Sequence, residues 1–381
     1  MLTRNGWWFA VLSATFFVTG VILSYRELIM ISLAMLASLI AAGLSILLRP
    51  DLEVKREVVP CRVNEGDAAS GVITITNVGR RRCPPMRALE AIGGTSMNVS
   101  LPSLAAGASH TAHYLLPTGQ RGCYTVGPLR IGHSDPLRLI QVSRTDSGEA
   151  TLWVHPRIHK ASPIPTGRSQ ELEGPANVHA PHGGIAFHSL RVYQPGDDPR
   201  LIHWRSTARV GTLMVRHTVI TNEPKLMIVL DTSADPYDEE SFEDAVRVAA
   251  SLVVAGVDNR YPVEFRTTGN VRGSVDATGH GQTDVLDKLA AVQPSASDPG
   301  LGSLIPLAPP RDRGVSLGVV SGQPAIEQAR AVGAVRGRFD MATLVQVGER
   351  FKRPPLNISG VLSVNAATSA EWARVWKVRI G

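Results

Sequence analysis

Cysteine is scarce in this chain of 381 residues, which contains only 3. Three thiols cannot build a dense disulfide scaffold or a four-cysteine zinc module. Charged residues are also few, at 19%, whereas disordered chains are usually charge-rich, so most of the chain should fold. Gly (35) and Pro (26) recur without a fixed period, which excludes a collagen-like repeat and favours turns and short strands.

Familiar catalytic motifs are absent too. The sequence has no Gly-x-Ser-x-Gly nucleophile turn and no phosphate-binding loop. The formal net charge of +6 and the pI of about 9.5 would permit an anionic partner. An excess of six charges in a chain of this length is weak support, however, and no aromatic-interleaved nucleic-acid motif accompanies it. We therefore expect no nucleic-acid partner.

Two long uncharged runs stand near the N-terminus, over residues 6–25 and 28–48. Each is close to the roughly 20 residues that a helix needs to cross the hydrocarbon core of a bilayer. Only Arg26 and Glu27 separate the runs, which predicts a tight transmembrane hairpin within residues 1–50. A cleaved signal peptide, with Arg4 as its basic region, is the alternative for the first run, and the immediate second span argues against it.

Basic residues flank the outer ends of this hairpin, at Arg4, Arg49, Lys55 and Arg56, whereas the connecting loop has Arg26 alone. Because positively charged flanks stay inside, we expect both ends of the hairpin and the soluble remainder to be cytoplasmic. The chain would then be a two-span cell-membrane protein with the lipid bilayer as a partner. Reduced thiols fit this compartment.

Short alternating segments fill residues 51–150 and predict strands at 71–79, 111–117, 123–129 and 137–143. Strands at this spacing, with turn residues between them, are typical of an antiparallel β-sandwich of immunoglobulin-like type. The basic triplet Arg80–Arg82 falls in a turn of this domain. A solvated loop is the default interpretation, and contact with anionic lipid is the alternative because the membrane is close in sequence.

Residues 151–180 hold several Pro, Gly and His residues without periodicity and are interpreted as a linker, and a distinctive block follows at 181–224. From 225 to 381 apolar runs alternate with helical patterns, which predicts a doubly wound α/β sheet. The predicted strands are 226–230, 262–265, 315–320 and 341–347, and the predicted helices are 239–256, 284–292, one after Pro324 and one around Trp372 and Trp376.

Carboxylates and hydroxyls follow the first of these strands, in the loop Asp231-Thr232-Ser233-Ala234-Asp235. Open α/β sheets bind ligands at the carboxyl ends of their strands, so this loop is a candidate site. Oxygens at alternate positions suit a hard cation such as Mg²⁺. The alternative is that Asp231 and Ser233 are turn residues and that Asp235 or Asp238 caps the next helix.

The loop resembles the metal-ion-dependent adhesion motif of von Willebrand factor A domains, Asp-x-Ser-x-Ser with a later Thr and a later Asp. Asp231 and Ser233 match, Asp235 replaces the second Ser, and Thr283 corresponds to the later Thr. Ser321 stands where the later Asp is expected, so one carboxylate is missing. The resemblance implies a von Willebrand factor A-like C-terminal domain with a Mg²⁺ site at Asp231, Ser233, Asp235 and Thr283.

The block at 181–224 contains a long signature, LRVYQPGDDPRLIHWRSTARV, over residues 190–210. It resembles that of the bacterial family known as domain of unknown function 58, which runs Leu-Arg-x-Tyr-x-x-Gly-Asp, Arg-x-Ile-x-Trp and Ala-Arg. Val192 departs from the Glu often found there, and His203 lies inside the block. The matching residues are Leu190, Arg191, Tyr193, Gly196, Asp197, Arg200, Ile202, Trp204, Ala208 and Arg209.

What this resemblance implies is a membrane-tethered partner of a MoxR-type AAA+ ATPase, active in maturation of the envelope or of a protein complex. Such proteins are often encoded beside a membrane protein with a transglutaminase-like domain, which is a second implied partner. No enzymatic activity is implied. We therefore expect an interaction or scaffold protein and not an enzyme.

A metal-dependent hydrolase centred on Asp197, Asp198 and His203 is the alternative function, because such groups serve as metal ligands or acid–base pairs. It requires the three side chains to converge in a cleft. We expect instead that His203 fills a packed strand and that Trp204 lies in the core. The arginines and aspartates of the block are then expected to form a structural ion-pair network.

Overall fold

The computed structural model divides the chain into two compact units, Met1–Arg157 and Ile158–Gly381, which are described separately. The residues that the structure describes are 3–47, 51–134, 137, 139–146, 148–166, 186–194, 199–219, 224–238, 240–308, 314–348 and 356–380.

The first unit begins with two apolar helices, α1 (Arg4–Ile22) and α2 (Arg26–Leu47). Both are long and apolar enough to cross a membrane, by length and composition. The Thr3 hydroxyl caps α1 by accepting the Gly6 N–H at 3.0 Å. Ser24 adopts a left-handed conformation, with φ of 56°, where the chain reverses into α2. A helical hairpin is therefore present where the sequence predicts it.

Small residues make up the buried face of α1, which consists of Gly6, Ser13 and Gly20 at a spacing of seven. Seven residues are close to two helical turns, so the three lie along one seam. The Ser13 hydroxyl donates to the Ser32 carbonyl of α2 at 3.0 Å, and a Cβ at Gly20 would come within 2.9 Å of the Ile29 side chain. Small seams of this kind let membrane helices approach closely.

A β-sandwich completes this unit and confirms the predicted fold of residues 51–150. One sheet has the strand order β1-β3-β6, and the other has the order β2-β9-β7-β4-β5 with β8 beside β7. The strands are β1 (Leu52–Val59), β2 (Arg62–Asn64), β3 (Ser70–Asn77), β4 (Met86–Ile92), β5 (Thr95–Leu101), β6 (Ser109–Leu115), β7 (Gly122–Ser134), β8 (Gln141–Asp146) and β9 (Ala150–His155).

Alternation along β3 shows why this segment forms a core strand. Ile73 and Ile75 point into the sandwich and are fully buried, while Val72, Thr74 and Thr76, which alternate with them, are only half-buried. Period-two patterning of this kind is what a sheet with one apolar face requires. Opposite β3, Tyr114 of β6 lays its ring over Gly71, where a Cβ would come within 2.1 Å of the ring. Glycine is therefore required at 71 for close packing.

A buried ion pair lies inside the sandwich, between Arg56 of β1 and Glu90 of β4. Their Nε and Oε1 atoms are 2.9 Å apart, and the side chains are 5% and 0% exposed. Arg56 also donates to the Gly148 carbonyl. Burial, together with the negative charge of Glu90, raises the pKa of the nearby Tyr114 phenol to about 12. Since two charges have left water here, each depends on the other for compensation.

We predict that Glu90→Gln lowers the free energy of unfolding by about 3–5 kcal/mol, because it leaves a buried guanidinium without its counter-charge. The double variant Arg56→Met, Glu90→Leu should recover most of that loss, since no charge then stays buried. Urea denaturation of the purified full chain, followed by circular dichroism, measures both.

The matched control is Glu53→Gln, which breaks the exposed Lys55–Glu53 pair, with 3.6 Å between Nζ and Oε1. Exposed pairs contribute about 0–1 kcal/mol, so little change is expected. An equal loss in the single and double variants of the buried pair would contradict the prediction.

The second unit opens with a segment packed on its core, which differs from the predicted linker at 151–180. Residues 151–155 already belong to β9 of the sandwich. Ile164 is 1% exposed within the core of the second unit, and the Trp376 Nε1–H donates to the Ser162 carbonyl at 2.7 Å. Gly318 leaves room for Ile164, because a Cβ there would approach its side chain to 2.2 Å. Residues 158–166 are therefore an integral part of this fold.

Next comes a hairpin that encloses a short helix, made of β10 (Ala186–Val192), α3 (Trp204–Val210) and β11 (Met214–Val219). The two strands pair antiparallel, with Val192 opposite Met214. Gly211 ends α3 in the left-handed conformation, with φ of 78°, and its N–H bonds to the Thr207 carbonyl. This hairpin contains the block 190–210, referred to below as the signature.

A six-stranded mixed sheet forms the rest of the unit, in the order β14-β13-β12-β15-β16-β17, with β14 alone antiparallel to its neighbour. Its strands are β12 (Lys225–Leu230), β13 (Val263–Thr267), β14 (Arg272–Val275), β15 (Val315–Ser321), β16 (Met341–Val347) and β17 (Leu362–Ala366). Its helices are α4 (Ser241–Asp258), α5 (Gln282–Ala291), α6 (Leu304–Leu307), α7 (Ile326–Val335) and α8 (Ser369–Ile380).

Helices cover both faces of this sheet, as the predicted doubly wound arrangement requires. Leu226, Ile228 and Leu230 pack in one core with α4, α5 and α8, whereas Met227 and Val229 pack in the other with α6 and α7. The four predicted strands and four predicted helices are all present. Edge strands β14 and β17 were not predicted, because short edge strands lack the long apolar run of a central strand.

Candidate functional site

The candidate site lies where two neighbouring parallel strands end, at Asp231 after β12 and Ser321 at the end of β15. The chain passes from β12 to β13 on one side and later returns to place β15 on the other side. This is a topological switch point, where the loops diverge and leave a crevice. The Ser321 hydroxyl donates to Asp231 Oδ2 at 2.8 Å, which joins the two strand ends.

Asp231 is a fully buried carboxylate surrounded by donors. Its Oδ1 accepts the Ser233 hydroxyl at 2.7 Å and the Ser233 N–H at 3.1 Å, and the Thr268 hydroxyl lies 3.4 Å away. The Tyr237 hydroxyl donates to the Asp231 backbone carbonyl at 2.6 Å. These bonds replace the water that the carboxylate lost on burial.

A second carboxylate, Asp298, joins the same network. Its Oδ2 accepts the Thr232 hydroxyl at 2.5 Å and the Thr268 hydroxyl at 2.8 Å, and its Oδ1 accepts the Gly300 N–H at 2.8 Å. Thr268 stands just past the end of β13, and Asp298 lies in the loop between α5 and α6. Thr268 therefore lies between the two carboxylates.

A pocket of about 190 Å³ opens beside this network. Asp231, Ser233, Asp235 and Asp298 are among its lining residues. Gly322 permits this packing, because a Cβ there would come within 2.0 Å of the Pro236 carbonyl oxygen. Three of the four predicted metal ligands, Asp231, Ser233 and Asp235, are thus brought together.

Thr283, the fourth predicted ligand, is not among the residues that line the pocket. It lies on the exposed first turn of α5. The threonine that reaches Asp231 is Thr268, because β13 is the immediate neighbour of β12 and its end falls at the same edge of the sheet. The carboxyl-end rule that selected Asp231 also points to Thr268, whereas Asp298 lies in an irregular loop without such a signal.

Oxygen donors of this kind match a hard cation such as Mg²⁺ in chemical type. Two carboxylates, Asp231 and Asp298, and the hydroxyls of Ser233 and Thr268 are available. Among the residues that the structure describes, no group of three or more His, Cys, Asp or Glu side chains is placed to hold a metal ion. A cation here would therefore depend on hydroxyl and water ligands as well.

Burial dominates the electrostatics of the network. It raises the pKa of the Asp231 carboxyl above its usual range, against the lowering effect of the hydrogen bonds from Ser233 and Ser321. Burial also raises the pKa of the Tyr237 phenol, and the charge of Asp231 adds to that shift. The folded site therefore favours a protonated Asp231 more than the unfolded chain does.

We predict that Asp231→Asn is at least as stable as the natural sequence at neutral pH, because it removes a desolvated charge and keeps the shape of the side chain. A raised pKa in the folded state means that folding takes up a proton. The natural sequence should therefore gain stability relative to the variant as pH falls. Melting temperatures of the full chain across mildly acidic to neutral pH measure this difference.

Asp276→Asn is the matched control, because the pKa of Asp276 is shifted in the opposite direction to that of Asp231. Hydrogen bonds from Thr278 and His280 lower the pKa of this exposed carboxyl. The natural sequence should lose stability relative to that variant as pH falls. Parallel trends in the two variants would contradict the assignment of Asp231.

The family signature occupies the hairpin of β10 and β11, and two expectations about it are wrong. His203 is not in a packed strand. It is half-buried and caps α3, where its Nδ1 lies 2.8 Å from the Ser206 hydroxyl and accepts the Ser206 N–H at 3.3 Å. A capping residue satisfies a free helix N–H, which explains a polar side chain just before Trp204.

Trp204 is not in the core either, since 68% of it is exposed. It is the first residue of α3, a seven-residue helix with no buried residue. No ion pair between described residues involves Arg205 or Arg209, and both are exposed. The predicted ion-pair network is therefore not seen for these two arginines.

Other signature residues are placed by the backbone alone or lie outside the described part of the chain. Arg191 stands opposite Val215 in the hairpin, Tyr193 donates its N–H to the Leu213 carbonyl, and Arg200 lies in the turn Pro199–Leu201. Gly196, Asp197 and Asp198 are outside the described residues. The convergence of Asp197, Asp198 and His203 stays a prediction.

Comparison with protein families supports the resemblance drawn from the signature. The model described as "Protein of unknown function DUF58" matches residues 189–376, and the CARDB model matches residues 49–128. The first match contains all but the first three residues of the signature hairpin and all six strands of the mixed α/β sheet. The second match covers the immunoglobulin-like sandwich from β1 into β7, so this part of the chain is similar to CARDB domains.

Among individual proteins, the uncharacterized protein YeaD of Bacillus subtilis is 29% identical over 153 residues, which are 40% of this chain and 37% of that protein. The chain thus matches little more than a third of that relative's length. The CARDB domain of the PF1109 protein from Pyrococcus furiosus, solved with di-metal ions, is 17% identical. It covers 28% of this chain and 93% of that chain, with a TM-score of 0.22.

A putative cell surface protein from Methanosarcina acetivorans is 18% identical, and the match covers 28% of this chain and 91% of that chain with a TM-score of 0.20. TM-scores this low add nothing to the fold described above.

Proposed function

We propose that this protein is a membrane-anchored, cytosol-facing interaction protein that recruits a MoxR-type AAA+ ATPase in maturation of the envelope or of a protein complex. The two apolar helices are consistent with the anchor. The ATPase comes from the family resemblance, as does a membrane protein with a transglutaminase-like domain as a second partner. The observation that carries the proposal is the exposed apolar surface of the signature hairpin.

Five exposed apolar side chains lie within one supersecondary unit, and together they are called the signature face. Trp204 is 68% exposed, and the others are Val192, Leu201, Val210 and Leu213. Arg205 and Arg209 stand on the same helix. Tryptophan and arginine dominate the energetics of protein interfaces, where apolar neighbours exclude water from them. A partner that covers this face would remove an unfavourable exposed surface.

The Asp231 network is proposed as a second contact with the partner. The sheet order, with one antiparallel edge strand, supports a von Willebrand factor A-like interpretation of the second unit. In that interpretation Mg²⁺ would bind at Asp231 and Ser233, with Asp298 and Thr268 in place of Thr283. A bound cation would supply an electropositive centre that attracts a carboxylate of the partner.

We predict that Trp204→Ala reduces recovery of the ATPase in a pull-down with the purified full chain by tenfold or more, which is typical of an interface anchor. Asp231→Ala should reduce recovery in buffer with Mg²⁺ and have no further effect once the metal is chelated. Quantified ATPase on the resin is the readout.

Ile326→Ala serves as the control, because this side chain is 56% exposed on α7 and lies outside the signature face. The amount of ATPase recovered with this variant should equal the amount recovered with the natural sequence. Equal recovery with Trp204→Ala would remove the signature face from the interaction, and equal recovery with Asp231→Ala would remove the metal site.

Cytoplasmic orientation is tested separately. Positive flanks at Arg4 and Lys55 favour an inner location for both ends of the hairpin. Protease added to intact spheroplasts should therefore leave residues 51–381 uncut, and lysis should expose them. Degradation before lysis would place the soluble units outside the membrane and end the proposal of a cytosolic ATPase partner.

No observation favours the hydrolase alternative. His203 is the one member of its proposed centre that the structure describes, and its Nδ1 is engaged by Ser206 at the start of α3. The expectation that the protein is not an enzyme likewise stays a prediction.

A further inference from the structure

We infer that the turn formed by Arg80, Arg81 and Arg82, the arginine turn, is a surface that binds the anionic headgroups of the bilayer in which the hairpin is anchored. The inference rests on the membrane anchor of the proposed function and adds a lipid class to it. It follows from where the sandwich places the turn, which the sequence alone does not reveal.

The arginine turn is attached to the point where the chain leaves the second apolar helix. The Val78 N–H donates to the Asp51 carbonyl at 2.9 Å, and Leu52 pairs with Asn77 at the start of β1. Asp51 is only four residues past Leu47, the end of α2. The turn is therefore held beside the membrane exit by backbone pairing.

The distances place the turn within reach of the headgroups. Four residues span at most about 14 Å, even when fully extended. The headgroup region is roughly 5–7 Å deep on each side of the hydrocarbon core, and an arginine acts over a Debye length of about 8 Å at physiological salt. The start of α1 is tied to the same unit, since the Thr3 N–H donates to the Leu139 carbonyl at 2.8 Å.

Asn77 fixes the shape of the turn. It is fully buried, and its Nδ2 donates to the carbonyls of Arg81 at 2.8 Å, Ala105 at 3.1 Å and Leu104 at 3.2 Å. Its Oδ1 accepts the Gly79 N–H at 3.1 Å. These hydrogen bonds fix the backbone that carries the exposed side chains of Arg80, Arg81 and Arg82. Little conformational entropy of the backbone is therefore lost on binding.

The charge of the turn suits phosphate groups. All three arginines are exposed, and no ion pair between described residues involves them. Asp51 is the adjacent carboxylate, so the local balance remains positive. Arginine binds phosphate oxygens in bidentate fashion, and clusters of basic residues beside a membrane span attract anionic lipid. Val78, which is 58% exposed next to the turn, adds an apolar contact with the interface.

The test uses the full chain in nanodiscs of phosphatidylcholine alone or of equal parts phosphatidylcholine and phosphatidylglycerol. A fluorophore is attached to Val78→Cys in a background with Cys61→Ser and Cys123→Ser, since both native thiols are exposed. Lipids with a nitroxide on the headgroup quench it. Quenching should rise roughly twofold or more when phosphatidylglycerol is present, and high salt should reduce the rise.

The triple variant Arg80→Gln, Arg81→Gln, Arg82→Gln should lose the phosphatidylglycerol-dependent rise. The matched control removes three exposed arginines from other sandwich strands, at Arg62, Arg87 and Arg130, and should keep it. Equal quenching in the two lipid compositions, or a rise that survives in the triple variant, overturns the inference.

Two further outcomes distinguish failure of the membrane anchor from failure of the lipid assignment. If the chain does not co-elute with the nanodisc, the membrane anchor of the proposed function fails. If millimolar inorganic phosphate at constant ionic strength abolishes the phosphatidylglycerol-dependent rise to the same degree as substitution of the arginines, the turn is a site for free phosphate and the lipid assignment is wrong.

Discussion

Desolvation of one carboxylate organises the crevice of the α/β unit. Asp231 loses all contact with water at the end of β12, and an ionised carboxylate in that position is costly unless donors surround it. Those donors come from its own loop at Ser233 and from β15 at Ser321, and the hydroxyl of Thr268 at the end of β13 lies 3.4 Å away while it donates to Asp298. The three strand ends are therefore joined through one side chain. The pKa of that side chain is raised because the donors offset the burial only in part.

Local pattern was sufficient to predict the central strands and the long helices of the two units. The short edge strands, the helix α3 and the long-range contacts were not predictable in the same way. The alternation of Ile73 and Ile75 and the apolar run at 226–230 are properties of short windows, so each predicts a strand. Which threonine lies close to Asp231 depends on the order of the strands in the sheet. Thr283 was selected because a motif places a threonine later in the chain, whereas Thr268 is the one that the parallel pairing of β12 and β13 brings close. Asp298, in an irregular loop, had no pattern to reveal it.

Residue type alone leads to a wrong prediction of burial at the signature hairpin. A large aromatic side chain such as Trp204 suggests a core position. Buried residues are mostly hydrophobic, but a hydrophobic residue need not be buried, because much of any protein surface is apolar. The missing information is the helix itself. His203 caps α3 and Gly211 ends it after seven residues, so Trp204 starts a helix with no buried face. Gly211 is a recognised signal for the end of a helix, but histidine is not a preferred N-cap residue, so the start of α3 at Trp204 had no local signal.

Strand pairing also brings the arginine turn close to the end of α2, although the two are far apart in sequence. The arginine turn lies some thirty residues beyond the second apolar helix in sequence, where a solvated loop is the default interpretation and contact with anionic lipid is the alternative. Antiparallel pairing of β1 with β3 cancels that separation, because the end of β3 must lie where β1 begins. In the proposed membrane anchor, the helical hairpin holds β1 at the bilayer, and this pairing would hold the end of β3 there as well. Backbone hydrogen bonds between β1 and β3 therefore set the position of the positively charged turn. Because side chains take no part in these bonds, substitution of the arginines leaves the geometry unchanged.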